Sequence, residues 1–157
     1  TYDAELANAD RLVAAIIDGA PSGVRVLVTA DHGQVDCGQG SRPPVPTAGE
    51  LVVGLSGEGR FRWLHARRGA EAELLAAAHE AHDTHAWVRS LDQILEEGWF
   101  GAAMQPEIRR RLGDVALLPF EPISFTDPAD TGPYELVGRH GSLTSAEMFV
   151  PLVACVT

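Results

Sequence analysis

Lysine is absent from this chain: all twelve basic residues are arginine, set against 22 acidic residues, for a formal net charge of −10 and an isoelectric point near 4.9. A surface so short of positive charge cannot readily displace the counterions of a nucleic-acid backbone, which argues against duplex nucleic acid as a partner. Cysteine is scarce as well. Cys37 and Cys155 are too few and too far apart to make a disulfide framework, and they say little about redox compartment. No apolar run reaches the roughly 20 residues of a membrane span. No secretion signal is visible, and a preceding part of the protein would carry any such signal. What is present in quantity is apolar: 45% hydrophobic residues over 157 positions are enough for a globular domain with a real core. An arginine-only, alanine-rich composition is associated with bacterial genomes of high GC content.

The most informative stretch is Thr29-Ala30-Asp31-His32-Gly33. It follows a helical pattern built on Leu6, Leu12, Val13, Ile16 and Ile17, and then the β-branched run from Val24 to Thr29. Helix feeding strand predicts an α/β arrangement with a parallel sheet, in which ligand sites gather beyond the carboxyl ends of the strands. Asp31 and His32 stand at such an end, and Gly33 lets the backbone turn so that both side chains can aim at one point. A carboxylate oxygen with an imidazole nitrogen suits zinc, manganese or iron. The competing reading is a turn that merely ends a strand.

A second glycine-flanked histidine lies far along the chain, in Gly138-Arg139-His140-Gly141-Ser142-Leu143-Thr144. Thr144 and Glu147 have the spacing of a capping box, which predicts a short helix fixing the loop that carries His140. Pro151 interrupts any longer helix, so Leu152 to Val156 is expected to be a final strand.

With these two motifs in this order, the sequence resembles the alkaline phosphatase superfamily, most closely its type I phosphodiesterase and nucleotide pyrophosphatase branch. The resemblance rests on Thr29 to Gly33 and on Gly138 to Pro151. It implies the carboxyl-terminal part of an alkaline-phosphatase-like α/β fold. It also implies two divalent metal ions, most simply Zn²⁺, with Mn²⁺ or Fe as alternatives. One would be held by Asp31 and His32 beside the nucleophile, the other by His140 beside a substrate phosphoryl oxygen. A phosphoester or nucleotide would be the substrate.

Members of that family place a metal-binding Asp, a Thr or Ser nucleophile and an Asp-x-x-x-His pair upstream of the Asp-His-Gly motif, and none is found here. The acidic residues that precede it, Asp3, Glu5, Asp10 and Asp18, have no histidine at the needed spacing. The chain is therefore expected to be the carboxyl-terminal half of a longer enzyme, inactive alone, with its nucleophile in the preceding half. An apolar face normally covered by that half would favour homo-oligomers. The same ligands also fit a phosphomonoesterase, phosphonate hydrolase or phosphomutase, since metal ligands do not select the leaving group. A third reading is a non-enzymatic binding or structural module.

The expected organisation is a core helix and strand with the Asp-His-Gly loop at 1–36, an inserted α+β cap at 37–133, and a core return at 134–157. Within the insertion, Gln34 to Thr47 reads as a loop at the rim of the site, rich in Gly and Pro. Glu50 to Leu55 and Arg60 to Ala66 read as a hairpin joined by Ser56-Gly57-Glu58-Gly59, Ala70 to Ala81 as a helix, and Ala86 to Val88 as a strand. Ser90 caps a helix that stops at Gly98, Val115 to Leu118 is another strand, and Pro119 to Pro133, with four prolines, is the return loop.

Several side chains invite functional readings. Arg139, beside His140, is the arginine best placed for substrate. Arg60 and Arg62 share a strand face and suit a phosphate clamp, or else a solvated face paired with the many acids. His79, His82 and His85 with Asp83 form a zinc-like cluster, or else polar residues facing water at a helix end. Trp99 and Phe100 suit base stacking or an aromatic plug. Cys37 is a soft ligand or a plain thiol, and Arg109 to Arg111 a helix end.

Overall fold

The computed structural model describes residues 2–44, 50–101, 104–130 and 136–157. The ends of two expected loops, 45–47 and 131–133, and residues 134–135 at the start of the expected core return lie outside them. The chain is a mixture of helices and strands that divides into two compact units, Thr1–Gly33 with Phe149–Thr157, and Gln34–Met148. Residues 136–148, grouped with the core in the sequence reading, belong to the second unit.

In the first unit α1 spans Tyr2–Gly19, with Asp3 and Glu5 in its first turn where the helix dipole favours negative charge. Pro21 cannot continue the helix, and Gly23 at φ +84° turns the chain into β1, Arg25–Thr29. The expected final strand forms over Leu152–Val156, the tenth in chain order (β10). It pairs with β1 from Arg25↔Val156 to Thr29↔Leu152, and the end of the ribbon is closed by Thr157, whose amide donates to the Val24 carbonyl at 3.0 Å. This pairing is antiparallel, where the helix-to-strand order predicts a parallel neighbour. A parallel pair needs a crossover returning to the same end of the sheet, whereas the chain re-enters this unit at Phe149 running the other way. Val13 and Ile16 of α1 line a groove of about 350 Å³ with Val26 to Thr29. Leu27, Leu152 and Val156 remain exposed.

The second unit contains the core. Two short ladders flank its main sheet: β2 (Val35–Asp36) pairs antiparallel with β9 (Gly138–Arg139), and β3 (Ser41–Arg42) pairs parallel with β8 (Ser124–Phe125). The main sheet holds β4 (Val52–Glu58), β5 (Phe61–Ala66), β6 (Ala86–Ser90) and β7 (Val115–Pro119), all antiparallel, in the order β4-β5-β7-β6. Helix α2 (Glu71–His82) lays Leu74 and Ala78 against one face, with Leu64, Val88, Val115 and Leu117. Helix α3 (Leu91–Glu96) lays Leu91 and Ile94 against the other, with Trp63, Ala116 and Leu118. Strand β7 is buried on both faces, which is why it reads as the unbroken run Val-Ala-Leu-Leu rather than as an alternation.

Local signals set most boundaries. The Ser90 hydroxyl accepts from the Gln93 amide at 3.2 Å while the Gln93 side chain accepts from the Ser90 amide at 2.7 Å, a complete capping box. At the other end the Trp99 amide reaches the Ile94 carbonyl and the Gly98 amide the Leu95 carbonyl, with Gly98 at φ +72°, a Schellman stop. The hairpin differs from expectation. Its strands run through Glu58 to a two-residue turn at Gly59-Arg60, because Gly57, at φ +84°, stays in the ladder. A Cβ on Gly57 would lie 2.3 Å from the Phe61 carbonyl oxygen. Two four-residue helices, α4 (Pro106–Arg109) and α5 (Ser145–Met148), complete the elements.

All three tryptophans, Trp63, Trp87 and Trp99, belong to the second unit, so tryptophan emission reports on that unit. Gly57→Ala is expected to destabilise it by about 1–3 kcal/mol through backbone strain, and Ser90→Ala by about 1 kcal/mol through the lost cap. Urea titration followed by tryptophan emission checks both, and midpoints equal to wild type would refute them.

Candidate metal centre

Asp31 and His32 leave the end of β1 together. One Asp31 oxygen accepts from the His32 amide at 3.0 Å, which folds the carboxylate over the start of the turn. The His32 Nδ1 lies 2.7 Å from the Gly33 carbonyl, and since a carbonyl only accepts, Nδ1 carries the proton. Nε2 lies 3.7 Å from the other Asp31 oxygen. Two ligand atoms sharing a tetrahedral zinc at about 2.1 Å stand roughly 3.4 Å apart, so a small side-chain rotation suffices. A backbone carbonyl holding the non-ligating nitrogen is also the usual way a metal-binding histidine is oriented. The Asp31 side chain is 89% exposed and that of His32 42%. The donor set and its geometry fit a divalent ion.

His140 follows β9 and is half-buried, in the second unit, whereas Asp31 and His32 lie in the first. Among the described residues no three His, Cys, Asp or Glu side chains converge as a metal site. Gly141, at φ +119°, turns the chain into Ser142, whose hydroxyl donates to the Pro119 carbonyl at 2.7 Å. The expected capping box is replaced by a different use of the same residues. The Thr144 hydroxyl donates to the Glu147 carboxylate, which turns inward instead of reaching back to the helix start. There it accepts the Ser142 amide at 3.0 Å and two bonds from Arg60, at 2.7 and 2.8 Å. A carboxylate within reach of a buried guanidinium gains more from it than from a neutral amide, which is why the cap is forgone.

The arginines divide. Arg60 and Arg62, expected as a phosphate clamp or a solvated face, are 0% and 1% exposed. Besides Glu147, Arg60 donates to the carbonyls of Glu121 at 2.9 Å, Ile123 at 2.7 Å and Pro119 at 3.1 Å, so each of its N–H groups meets an oxygen. Arg62 donates to Asp127 at 3.1 Å, Asp130 at 2.8 Å and the carbonyls of Gly57 and Phe125. Its Nε has no partner among the described residues. Both hold the fold together and neither faces a substrate. Arg139 differs: it is half-buried, pairs with Val35 in the ladder, and its Nε donates to the Leu136 carbonyl at 2.9 Å.

The histidine cluster is a relay. His82 is buried, its Nε2 bonded to the Pro44 carbonyl and its Nδ1 3.1 Å from His85 Nε2, while His85 Nδ1 lies 3.1 Å from the Thr84 hydroxyl. The Pro44 carbonyl forces a proton onto His82 Nε2, so His82 Nδ1 must accept from His85 and His85 in turn from Thr84. Both rings are neutral in this arrangement and pack against Phe125. His79 pairs with Asp83 at 2.7 Å instead of joining them. Trp99 packs against the second core cluster, its indole N–H on Glu97 at 2.7 Å, and Phe100 is exposed. Cys37 is buried, and burial pushes its thiol up. A groove of about 560 Å³ lined by His65, Arg109, Arg110 and Asp114 includes none of the expected site residues.

Burial pushes His82 down and, with the nearby Arg42, His85 as well. Unfolded, both would take up protons near the ordinary histidine value of about 6.5, while the folded rings resist. Stability is therefore expected to be fully present above pH ~6.5 and to fall as pH drops below it, by up to ~1.4 kcal/mol per pH unit for each ring. For Glu147, burial alone would raise the carboxyl, but bonds from Arg60, Thr144 and the Ser142 amide hold it below the usual range. Its contribution survives to a more acidic pH. Urea unfolding at pH 7.5, 6.5 and 5.5 in wild type and His82→Gln reads the effect; equal slopes in the two proteins would contradict it.

No protein-family model and no curated protein sequence matches this chain.

Proposed function

We propose that this chain carries metal-binding loops of a two-metal phosphodiesterase or nucleotide pyrophosphatase, with the nucleophile supplied from outside it. The observation that carries this reading is the Asp31–His32 pair, a carboxylate oxygen and an imidazole nitrogen 3.7 Å apart beyond the end of β1. The Gly33 carbonyl orients the His32 ring through Nδ1, and the exposed Asp31 carboxylate stands beside Nε2. His140, on a separately braced loop, would hold the second ion, and Arg139 next to it would meet a phosphate oxygen. Bound ions would neutralise phosphoryl oxygens and lower the pKa of an attacking hydroxyl. None of Thr29, Ser142 and Thr144 serves as nucleophile in this reading: the Ser142 and Thr144 hydroxyls are committed to Pro119 and Glu147. Thr29 precedes the motif as part of β1.

The chain alone is expected to bind Zn²⁺ weakly at Asp31 and His32 and to leave bis-p-nitrophenyl phosphate intact. Joined to a preceding half bearing the nucleophile and the Asp-x-x-x-His pair, it is expected to hydrolyse that diester with Zn²⁺ or Mn²⁺. Asp31→Ala, His32→Ala or His140→Ala should then cost about 10²-fold or more in rate. Diesterase activity in the short chain would refute the placement of the nucleophile. Activity confined to monoesters or phosphonates would change the reaction while keeping the ligands.

A further inference from the structure

The interior behind the His140 loop takes no part in that chemistry. Arg60 stands in the two-residue turn of the β4–β5 hairpin, a place where an arginine normally extends into water, yet its side chain is completely buried. Its partner Glu147 is 87 residues away in sequence, seven beyond His140. The bonds between them close a ring. Arg60 Nη2 donates to the Pro119 carbonyl, the Ser142 hydroxyl donates to the same carbonyl, the Ser142 amide donates to Glu147 Oε1, and Glu147 Oε1 also receives Arg60 Nε. Only Gly141 separates Ser142 from His140. A Cβ on Gly141 would meet the Cβ atoms of Glu58 and Phe61 at 3.6 Å, so the hairpin tip also borders the loop.

A buried ion pair gains little over apolar residues of the same volume, because the cost of desolvating two charges offsets their attraction. What apolar packing cannot supply is a directed bond to a loop backbone. We propose that Arg60 and Glu147 are positioning residues for His140: the guanidinium holds the carboxylate in the interior, the carboxylate holds the Ser142 amide, and the direction of His140 follows from that bond. The proposal rests on the reading of His140 as a metal ligand.

The test uses two double variants of the full chain that leave no unpaired buried charge. Arg60→Met with Glu147→Leu removes the acceptor for the Ser142 amide, while Arg60→Met with Glu147→Gln retains a neutral one. The readouts are hydrogen exchange at the Ser142 amide and ¹³C relaxation of the His140 ring, assigned by its loss in His140→Ala. The variant with Glu147→Leu is expected to exchange Ser142 about tenfold faster or more and to lose order at the His140 ring, with β5 and β7 unchanged. The variant with Glu147→Gln should recover both. Ser142→Ala, which removes one bond of the ring and no charge, should give the same change in smaller degree and serves if the first variant does not fold. His140 order equal to wild type in the Glu147→Leu and Ser142→Ala proteins overturns the proposal, as does faster exchange spread evenly over β5 and β7. The rate of diester hydrolysis by the joined enzyme carrying His140→Ala tests the ligand reading separately; an unchanged rate removes that reading, whereas unchanged ring order removes the positioning role.

Discussion

A guanidinium taken out of water demands an acceptor for every N–H, and the second unit is organised around meeting that demand for Arg60. Three carbonyls of one short segment, at Pro119, Glu121 and Ile123, turn toward it, and Glu147 supplies the countercharge. Two residues along, on the same strand face, Arg62 repeats the arrangement on Phe125, Asp127 and Asp130. The segment from Pro119 to Asp130 is thus fastened to the hairpin by charge-assisted bonds as well as by the burial of Ile123 and Phe125. Leu64 is next on that face, and there the apolar cluster with Leu74 and Phe125 takes over. Loss of either partner of the Arg60–Glu147 pair alone would strand a buried charge, a cost of about 3–5 kcal/mol.

The Asp31–His32 pair is built on opposite terms. It depends on neighbours in sequence: the carboxylate is held by the next amide and the imidazole by the next carbonyl. It stands on a two-stranded ribbon whose apolar side chains are largely exposed, rather than on a packed core. Bonds within its own turn set the geometry of this candidate pair. The His140 loop is preset from a distance, through Ser142 and Glu147. In the proposed function these are two solutions to one requirement, that ligand atoms be held before an ion arrives.

The parts legible in the sequence were those written in short-range code. The spacing of Leu6, Leu12, Val13, Ile16 and Ile17 announces α1, the unbroken apolar run announces β7, and Ser90 with Gly98 brackets α3 at both ends. Pro151 announces the final strand at Leu152–Val156. Where two local signals competed, the reading failed. Ser56 to Gly59 has the composition of a turn, yet Gly57 and Glu58 pair within the ladder because the chain reverses one step later. Thr144 and Glu147 have the spacing of a capping box, yet Arg60 outbids the backbone amide for the carboxylate. The histidines at 79, 82 and 85 share spacing with zinc ligands, but the Pro44 carbonyl sets the tautomer of His82 and turns the pair toward each other.

Adjacent residues are enough to specify the longer helices and strands, the two candidate ligand loops and the acidic, lysine-free composition, because helical period, strand composition, turn glycines and charge are local properties. The two-residue strands inside the expected loops 34–47 and 119–133 were not legible. Tertiary structure alone decided that β1 takes β10 as an antiparallel partner, and that the arginines of β5 and its turn face the interior. It also decided that Glu147 braces the loop following His140. Each of these depends on a partner about 60 or more positions away: Glu147, for example, turns toward Ser142 because Arg60, 87 positions away, draws it inward. An arginine looks the same in sequence whether it faces water or a buried carboxylate, and only the packing around it tells the two apart.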